Sequence, residues 1–268
     1  MTTTTLAHFP GVDLAYTERG RGQPVLFVHG YPLTRRLWQP QLDDLQDDAR
    51  VMALDLRGHG ESTGAGPNTM DTLADDCAGL LDALGISQPV VVCGLSMGGY
   101  VALAFYRRHA ARLAGLVLAA TRAGADTAEG KAGRDRAAGV AREQGSAAVA
   151  DSMLPKMLAP QTYVEQPALA AGVRDMMASV RAETMAADLA GMRDRPDSTG
   201  LLLAIALPVL VLHGAHDQLI PPSEAAATAS ALPNGRLRLI VGAGHLLNLE
   251  KPGAFNAAVR EYLASLAA

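Results

Sequence analysis

Val90-Val91-Val92-Cys93-Gly94-Leu95-Ser96-Met97-Gly98-Gly99 is the stretch on which the reading of this chain turns. A run of apolar, mostly β-branched residues passes into a G-x-S-x-G motif, and a helical pattern, Met97–His109, follows. The motif alone arises by chance. Between a buried-strand pattern and a helix, however, it marks a sharp turn that lifts a serine hydroxyl above the edge of a sheet. Gly94 and Gly98 suit such a turn, because side chains there would meet neighbouring backbone. The alternative is a glycine-rich turn with an incidental serine. The two readings separate on whether the chain also supplies a base, an orienting acid and oxyanion donors.

Outward from this point, further β-rich runs are bounded by turn residues: Val12–Tyr16, Pro24–His29, Val51–Leu54, Pro89–Cys93, Leu113–Ala119, Leu207–Leu212 and Arg236–Val241. Most are continuously apolar rather than alternating, as strands covered on both faces require. Helical patterns lie between them, at Met70–Leu84, Met97–His109, Pro222–Leu232 and Pro252–Leu266. Pro222 and Pro252 fall at the first helical position, where a fixed φ and a missing donor cost nothing. The alternation predicts an α/β fold with a mostly parallel central sheet flanked by helices, and ligand chemistry at the carboxyl ends of its strands. It stops between Arg122 and Thr199, which reads as several helices broken near Pro155, Pro160, Pro167 and Pro196. The expected organisation is a core of residues 1–121 and 200–268 with a helical insertion, 122–199. Six of the ten methionines fall in that insertion. They either fill the seam with the core or form an adaptable apolar wall over a pocket, and Met153, Met157, Met176 and Met177 are the candidates for the wall.

A serine hydroxyl is a weak nucleophile until a base takes its proton. Of the seven histidines, His8 and His109 sit in a tail and at a helix end, and solvated roles suit them. His29 and His59 lie in loops that they are expected to brace. His213 and His216 have a spacing that weakly resembles a metal pair, with no further ligand set to support it. His245, in Gly242-Ala243-Gly244-His245, follows the last strand on a glycine-rich loop from which a mobile ring can swing over the sheet edge. It is the expected base. Asp217, just beyond the strand that ends near Leu212, is the expected acid, holding the imidazole tautomer and stabilising the imidazolium. Asp126, several residues past Ala119, is the competing carboxylate. Two backbone N–H groups are expected to face a developing oxyanion: that of Met97, at a helix start, and that of Tyr31 in His29-Gly30-Tyr31-Pro32. Pro32 has no N–H to offer and is placed with the pocket residues.

The bulk properties narrow the classes. A net charge of −4 without a basic block gives no footprint for nucleic acid. Met1-Thr2-Thr3-Thr4-Thr5 lacks the charged start and apolar core of a signal peptide, and Leu201–Leu212 is too short to span a bilayer. Cys77 and Cys93 read as two buried free thiols of a cytoplasmic protein. No metal or cofactor is expected, the expected partner is a small molecule, and oligomeric state has no sequence signal here.

Together His29-Gly30-Tyr31-Pro32, Asp55-Leu56-Arg57-Gly58-His59-Gly60-Glu61-Ser62, Gly94–Gly98, Asp217 and Gly244-His245 resemble the α/β-hydrolase superfamily over nearly the whole chain. The chain order Ser, Asp, His is the order of that fold. In particular the sequence is similar to bacterial carboxylesterases, 3-oxoadipate enol-lactonase-like hydrolases and the cofactor-free perhydrolases also called non-haem haloperoxidases. The resemblance implies that residues 122–199 form a helical cap and that Asp55 supports loop structure. It further implies a serine hydrolase of small carboxylic esters or lactones working through an acyl-enzyme on Ser96. A perhydrolase making peracids, with Tyr31-Pro32 as its mark, is the alternative enzyme. A non-catalytic ligand receptor on the same scaffold is the alternative outside catalysis. Haloalkane dehalogenases and epoxide hydrolases carry an aspartate where this chain has Ser96, which sets them apart.

Overall fold

Successive residues of a strand face opposite sides of a sheet, so a continuously apolar strand feeds two cores. The computed structural model, which describes residues 5–9 and 11–266, shows this division. Val25, Phe27, Val51, Ala53, Val91, Cys93 and Val117 enter one apolar layer, and Leu26, Val28, Met52, Leu54, Val92, Leu116 and Leu118 the other. Among the described residues eight strands form one sheet. They are β1 (Thr5–Phe9), β2 (Val12–Arg19), β3 (Pro24–Val28), β4 (Arg50–Leu54), β5 (Val90–Leu95), β6 (Leu113–Ala119), β7 (Val209–Gly214) and β8 (Gly235–Ile240). Their order is β1-β2-β4-β3-β5-β6-β7-β8. The pairs β1/β2 and β2/β4 are antiparallel and all others parallel. This is the α/β-hydrolase fold expected from the sequence.

The helices are α1 (Gln39–Leu45), α2 (Met70–Ala83), α3 (Met97–His109), α4 (Ala128–Gln144), α5 (Ser146–Met153), α6 (Pro160–Glu165), α7 (Pro167–Ala178), α8 (Ala182–Arg193), α9 (Thr199–Leu202), α10 (Pro222–Ala231), α11 (Leu247–Glu250) and α12 (Pro252–Leu266). One sheet face is covered by α2, α3 and α10, the other by α1 and α12. Every strand read from the sequence has its counterpart, with ends moved by a few residues at most. Two of the shifts matter: β5 reaches Leu95 and β7 reaches Gly214, so both run up to the residues of the candidate site. Strand β1 was not anticipated. It is a mostly exposed edge strand fixed by its ladder to β2, with the Phe9 ring against Gly79 of α2, and so its apolar pattern is weak. The short α1 and α11 were also missed. Met1–Thr4, whose composition argued against a signal peptide, lies outside the described residues.

Between β6 and β7 the described chain is helical. Pro160 and Pro167 open α6 and α7, Pro155 lies in a single 3-10 turn, Leu154–Lys156, and Pro196 follows α8. Helix α8 packs along α4 and is tied to the loop after β4. Thr184 Oγ1 donates to Gly58 O at 2.9 Å, and Asn68 Nδ2 donates to Asp188 Oδ1 at 2.7 Å. His59 Nε2 stands 2.9 Å from Asp188 Oδ2, with both side chains fully buried. Burial alone would depress the His59 pKa, but the Asp188 charge and the Arg57 carbonyl outweigh it, and the value is raised.

A histidine whose pKa is raised on folding contributes stability that is complete below its unfolded pKa and is lost as pH rises through the folded value. Asp188→Ala should therefore cost about 3–5 kcal/mol in urea unfolding at mildly acid pH, since it strands a buried partner. The penalty should shrink as pH climbs above about 6.5. A penalty independent of pH would show that the pair is not ionic.

Candidate active site

The turn after β5 forces Ser96 into left-handed backbone, at φ 56° and ψ −113°, where non-glycine residues rarely sit. Its surroundings hold it there. The Ser96 N–H donates to Ala119 O of β6 at 2.9 Å, and Thr121 Oγ1 donates to Ser96 O at 2.8 Å. A Cβ at Gly94 would overlap the Gly98 carbonyl, and one at Gly98 would overlap the Val28 carbonyl. Both glycines are thus demanded by close backbone approach. Helix α3 begins at Met97, so the Met97 N–H has no acceptor within the helix. Among the described residues neither it nor the Tyr31 N–H donates to a protein acceptor.

Asp217 and His245 come from the loops after β7 and β8 and meet 2.8 Å apart, His245 Nδ1 against Asp217 Oδ2. The Leu219 and Ile220 N–H groups donate to Asp217 Oδ1 at 2.8 and 3.0 Å. Burial alone would raise the Asp217 carboxyl, but the facing His245, hydrogen bonds from His213 and His245 and the Ile220 N–H hold it well below the usual carboxylate range. His213 Nε2, 2.9 Å from Ile220 O, braces this loop, and His216 is exposed. Among the described residues no three His, Cys, Asp or Glu side chains are grouped as metal ligands.

The loop carrying His245 is held by a buried carboxylate, a tie that its glycine-rich sequence does not reveal. The buried Glu250 accepts from Gly244 N–H at 2.8 Å through Oε1, and from Ala159 N–H and Thr162 Oγ1, each at 2.7 Å, through Oε2. His245 is 2 % exposed. Glu250 carried no signal in the sequence, because its partners lie far away along the chain. His29 spans its turn with Nδ1 2.9 Å from Gly30 O, while Leu56 N–H donates to Nε2 at 3.0 Å; burial and the neighbouring His59 push its pKa well down. Asp55 is buried and takes the Arg35 and Glu61 N–H groups at 2.7 and 3.1 Å, as a loop support. Asp126 is engaged by arginines and does not approach His245 as its acid.

Ser96 and His245 line one cavity of about 130 Å³, with Tyr31, Tyr100, Arg122, Arg134, Met153, Met192, Leu219 and Ile220. A cleft of about 740 Å³ shares Tyr31, Arg122, Arg134, Met153 and Leu219 with it. Of the four methionines expected on the wall, Met153 is there. Met157, Met176 and Met177 lie instead in the apolar layer with Phe255 and Leu246, where packing buries them. Met192 of α8 takes the wall position they were expected to share. Pro32 is buried next to Tyr31 and is absent from both linings. Tyr100, Arg122 and Arg134 were not singled out in the sequence, where they read as ordinary helix and loop residues.

A strained serine at a strand end, a carboxylate facing an imidazole and, among the described residues, two N–H groups without protein acceptors form an arrangement that can support acyl transfer by nucleophilic catalysis. Comparison with known proteins agrees with the architecture. Residues 23–252 match the family model described as alpha/beta hydrolase fold. A thermophilic esterase from Thermogutta terrifontis is 42 % identical, with a TM-score of 0.95 over 98 % of this chain and 99 % of that one. A putative non-heme bromoperoxidase of Mycobacterium tuberculosis is 31 % identical over 96 % of this chain and all of the relative. A 3-oxoadipate enol-lactonase of Acinetobacter baylyi is 30 % identical over 92 % of each. Fold, motif context and relatives converge: the chain belongs to the α/β-hydrolase fold family.

Proposed function

We propose that the protein is a serine hydrolase of small carboxylic esters or lactones, with Ser96 as nucleophile, His245 as base and Asp217 as its orienting acid. The observation that carries this is the 2.8 Å contact of Asp217 with His245 beside the cavity that Ser96 also lines. His245 takes the Ser96 proton as the hydroxyl attacks the carbonyl, the Tyr31 and Met97 N–H groups receive the oxyanion, and the protonated imidazole gives its proton to the leaving alcohol. Water then cleaves the acyl-enzyme by the reverse sequence of proton transfers. Residues 122–199 act as the cap of this site over a core of 1–121 and 200–268. The relatives named as an esterase and an enol-lactonase support this class of chemistry. Among the described residues no helix is long and apolar enough to cross a membrane, and Cys77 and Cys93 are buried free thiols, which suits a cytoplasmic setting. No cofactor enters the scheme.

Phenylmethylsulfonyl fluoride should leave one adduct, on Ser96, and abolish p-nitrophenyl acetate turnover; full activity in Ser96→Ala would overturn the assignment, and no turnover by the wild type would favour a ligand receptor on this scaffold. Asp217→Asn should fold as the wild type by circular dichroism and lose about 10⁴-fold in kcat, because the imidazole loses its tautomer and orientation. Turnover near that of the wild type would move the acid elsewhere.

Peroxide as acyl acceptor is a second reading, favoured by the relative named as a bromoperoxidase together with Tyr31, which lines the cavity and is followed by the buried Pro32. A proline restricts the residue before it and so sets the Tyr31 carbonyl relative to Ser96. Wild type should form peracid from acetate esters and hydrogen peroxide, and Pro32→Leu should lower the peracid-to-acid ratio. Equal ratios in the two proteins would remove Pro32 from the explanation.

A further inference from the structure

Two cations stand on the wall of the cavity that holds Ser96 and His245, and ester cleavage at Ser96 uses neither. The Asp126 carboxylate, 1 % exposed, is shared by three guanidinium groups: Arg122 Nη2 at 2.6 Å, Arg134 Nε at 3.0 Å and Arg195 Nη1 at 2.9 Å. Arg195 is spent within the protein. It is buried, donates to Met192 O and Gly124 O, and lies 4.0 Å over the Tyr100 ring. Asp126 is the one carboxylate paired with these three guanidinium groups, and Asp197 faces Arg195 from further off, so the cluster keeps a net positive charge. Arg122 and Arg134 remain 30 % and 25 % exposed, and both line the small cavity and the larger cleft. Lys156 adds a further cation to the cleft, and Asp126 is the only acidic side chain among the described residues lining either space.

Donors are also left over on this wall. The Tyr31 hydroxyl belongs to a residue only 5 % exposed and finds no partner among the described residues, and the buried Arg122 Nε finds none either. A buried donor without an acceptor is costly. Of the anions that could meet the exposed guanidinium groups here, a planar carboxylate is the one their fork geometry holds best. A purely structural cluster would be expected to balance its charge and close its hydrogen bonds. This one does neither, and it opens onto the space beside the nucleophile.

We propose that Arg122, Arg134 and the Tyr31 hydroxyl form a carboxylate-binding subsite, and that the preferred substrates are esters or lactones carrying a second, ionised carboxylate. This rests on the reading of Ser96 as nucleophile and names the substrate class for it. The free carboxylate is held by the arginines while the scissile carbonyl meets Ser96, so one end of the molecule fixes the reacting end.

The test compares monomethyl adipate with neutral dimethyl adipate, and measures adipate binding to the same proteins by calorimetry. Wild type should favour the half-ester by about tenfold or more in kcat/KM. Arg122→Gln and Arg134→Gln should each cut kcat/KM for the half-ester about 10- to 100-fold, mainly through KM. That loss should exceed the loss on the diester at least several-fold, and Arg134→Lys should keep part of the preference. Adipate should bind wild type and bind Arg134→Gln far more weakly. Equal or better cleavage of the diester by wild type would overturn the subsite, and so would equal proportional losses on both esters, which would confine the arginines to holding α4. If no ester is cleaved but adipate binds through Arg134, the subsite stands and the Ser96 reading fails. Absence of adipate binding by folded wild type overturns the subsite.

Discussion

The left-handed backbone at Ser96 is the constraint around which this molecule is arranged. A non-glycine residue in that region sits there only when its neighbours leave no alternative, at a cost of order 1–3 kcal/mol. Three layers of structure supply that confinement. The Ala119 carbonyl captures the Ser96 N–H, Thr121 captures its carbonyl, and the backbones at Val28 and Gly98 press so closely on Gly98 and Gly94 that no side chain fits. Strands β3, β5 and β6 must therefore sit side by side with their ends level. That register also brings the Gly30–Tyr31 turn next to the serine, since Gly30 packs directly on Leu95 and Ser96.

The second half of the site is organised by strand ends as well. Asp217 follows β7 and His245 follows β8, and the parallel pairing of these strands sets their loops side by side. Close packing of Gly214 on the Gly244 carbonyl allows the two loops to approach until the carboxylate and imidazole meet. The Asp217 carboxylate accepts from two backbone donors besides facing the imidazole, so its charge is supported by the fold and not by solvent. The contact is the product of sheet geometry as much as of the residues that make it.

Legibility in the sequence follows from how local each signal is. The central strands are apolar on both faces, and the helix from Met97 is framed by a motif and by basic residues in its last turn, so both can be read directly. Ser96, Asp217 and His245 stand out because each occupies a glycine-rich or turn-forming strand end. Signals that depend on distant partners were hidden. Arg122, Arg134 and Arg195 acquire meaning only when Asp126 gathers them, and Glu250 only when Gly244, Ala159 and Thr162 converge on it. The methionines show the same limit. A residue type suited to a pocket wall is equally suited to packing, and only the folded chain separates Met153, on the cavity, from Met157, Met176 and Met177, in the apolar layer.

Glu250 has a consequence for how this scaffold can diversify. One carboxylate joins the loop that carries His245 to the start of α6, and the Leu246 N–H donates to Met157 O at 3.1 Å just beside it. The imidazole and that flank of the helical segment are thus tied together, and a shift of α6 to admit a larger ligand would carry His245 with it. The opposite flank, α4 and α8, is attached through Asp126 and Asp188 and, among the described residues, has no such link to the imidazole. New specificities therefore arise at low cost by remodelling the α4–α8 side, while the α6 side is closed to variation by the same hydrogen bonds that keep the chemistry aligned.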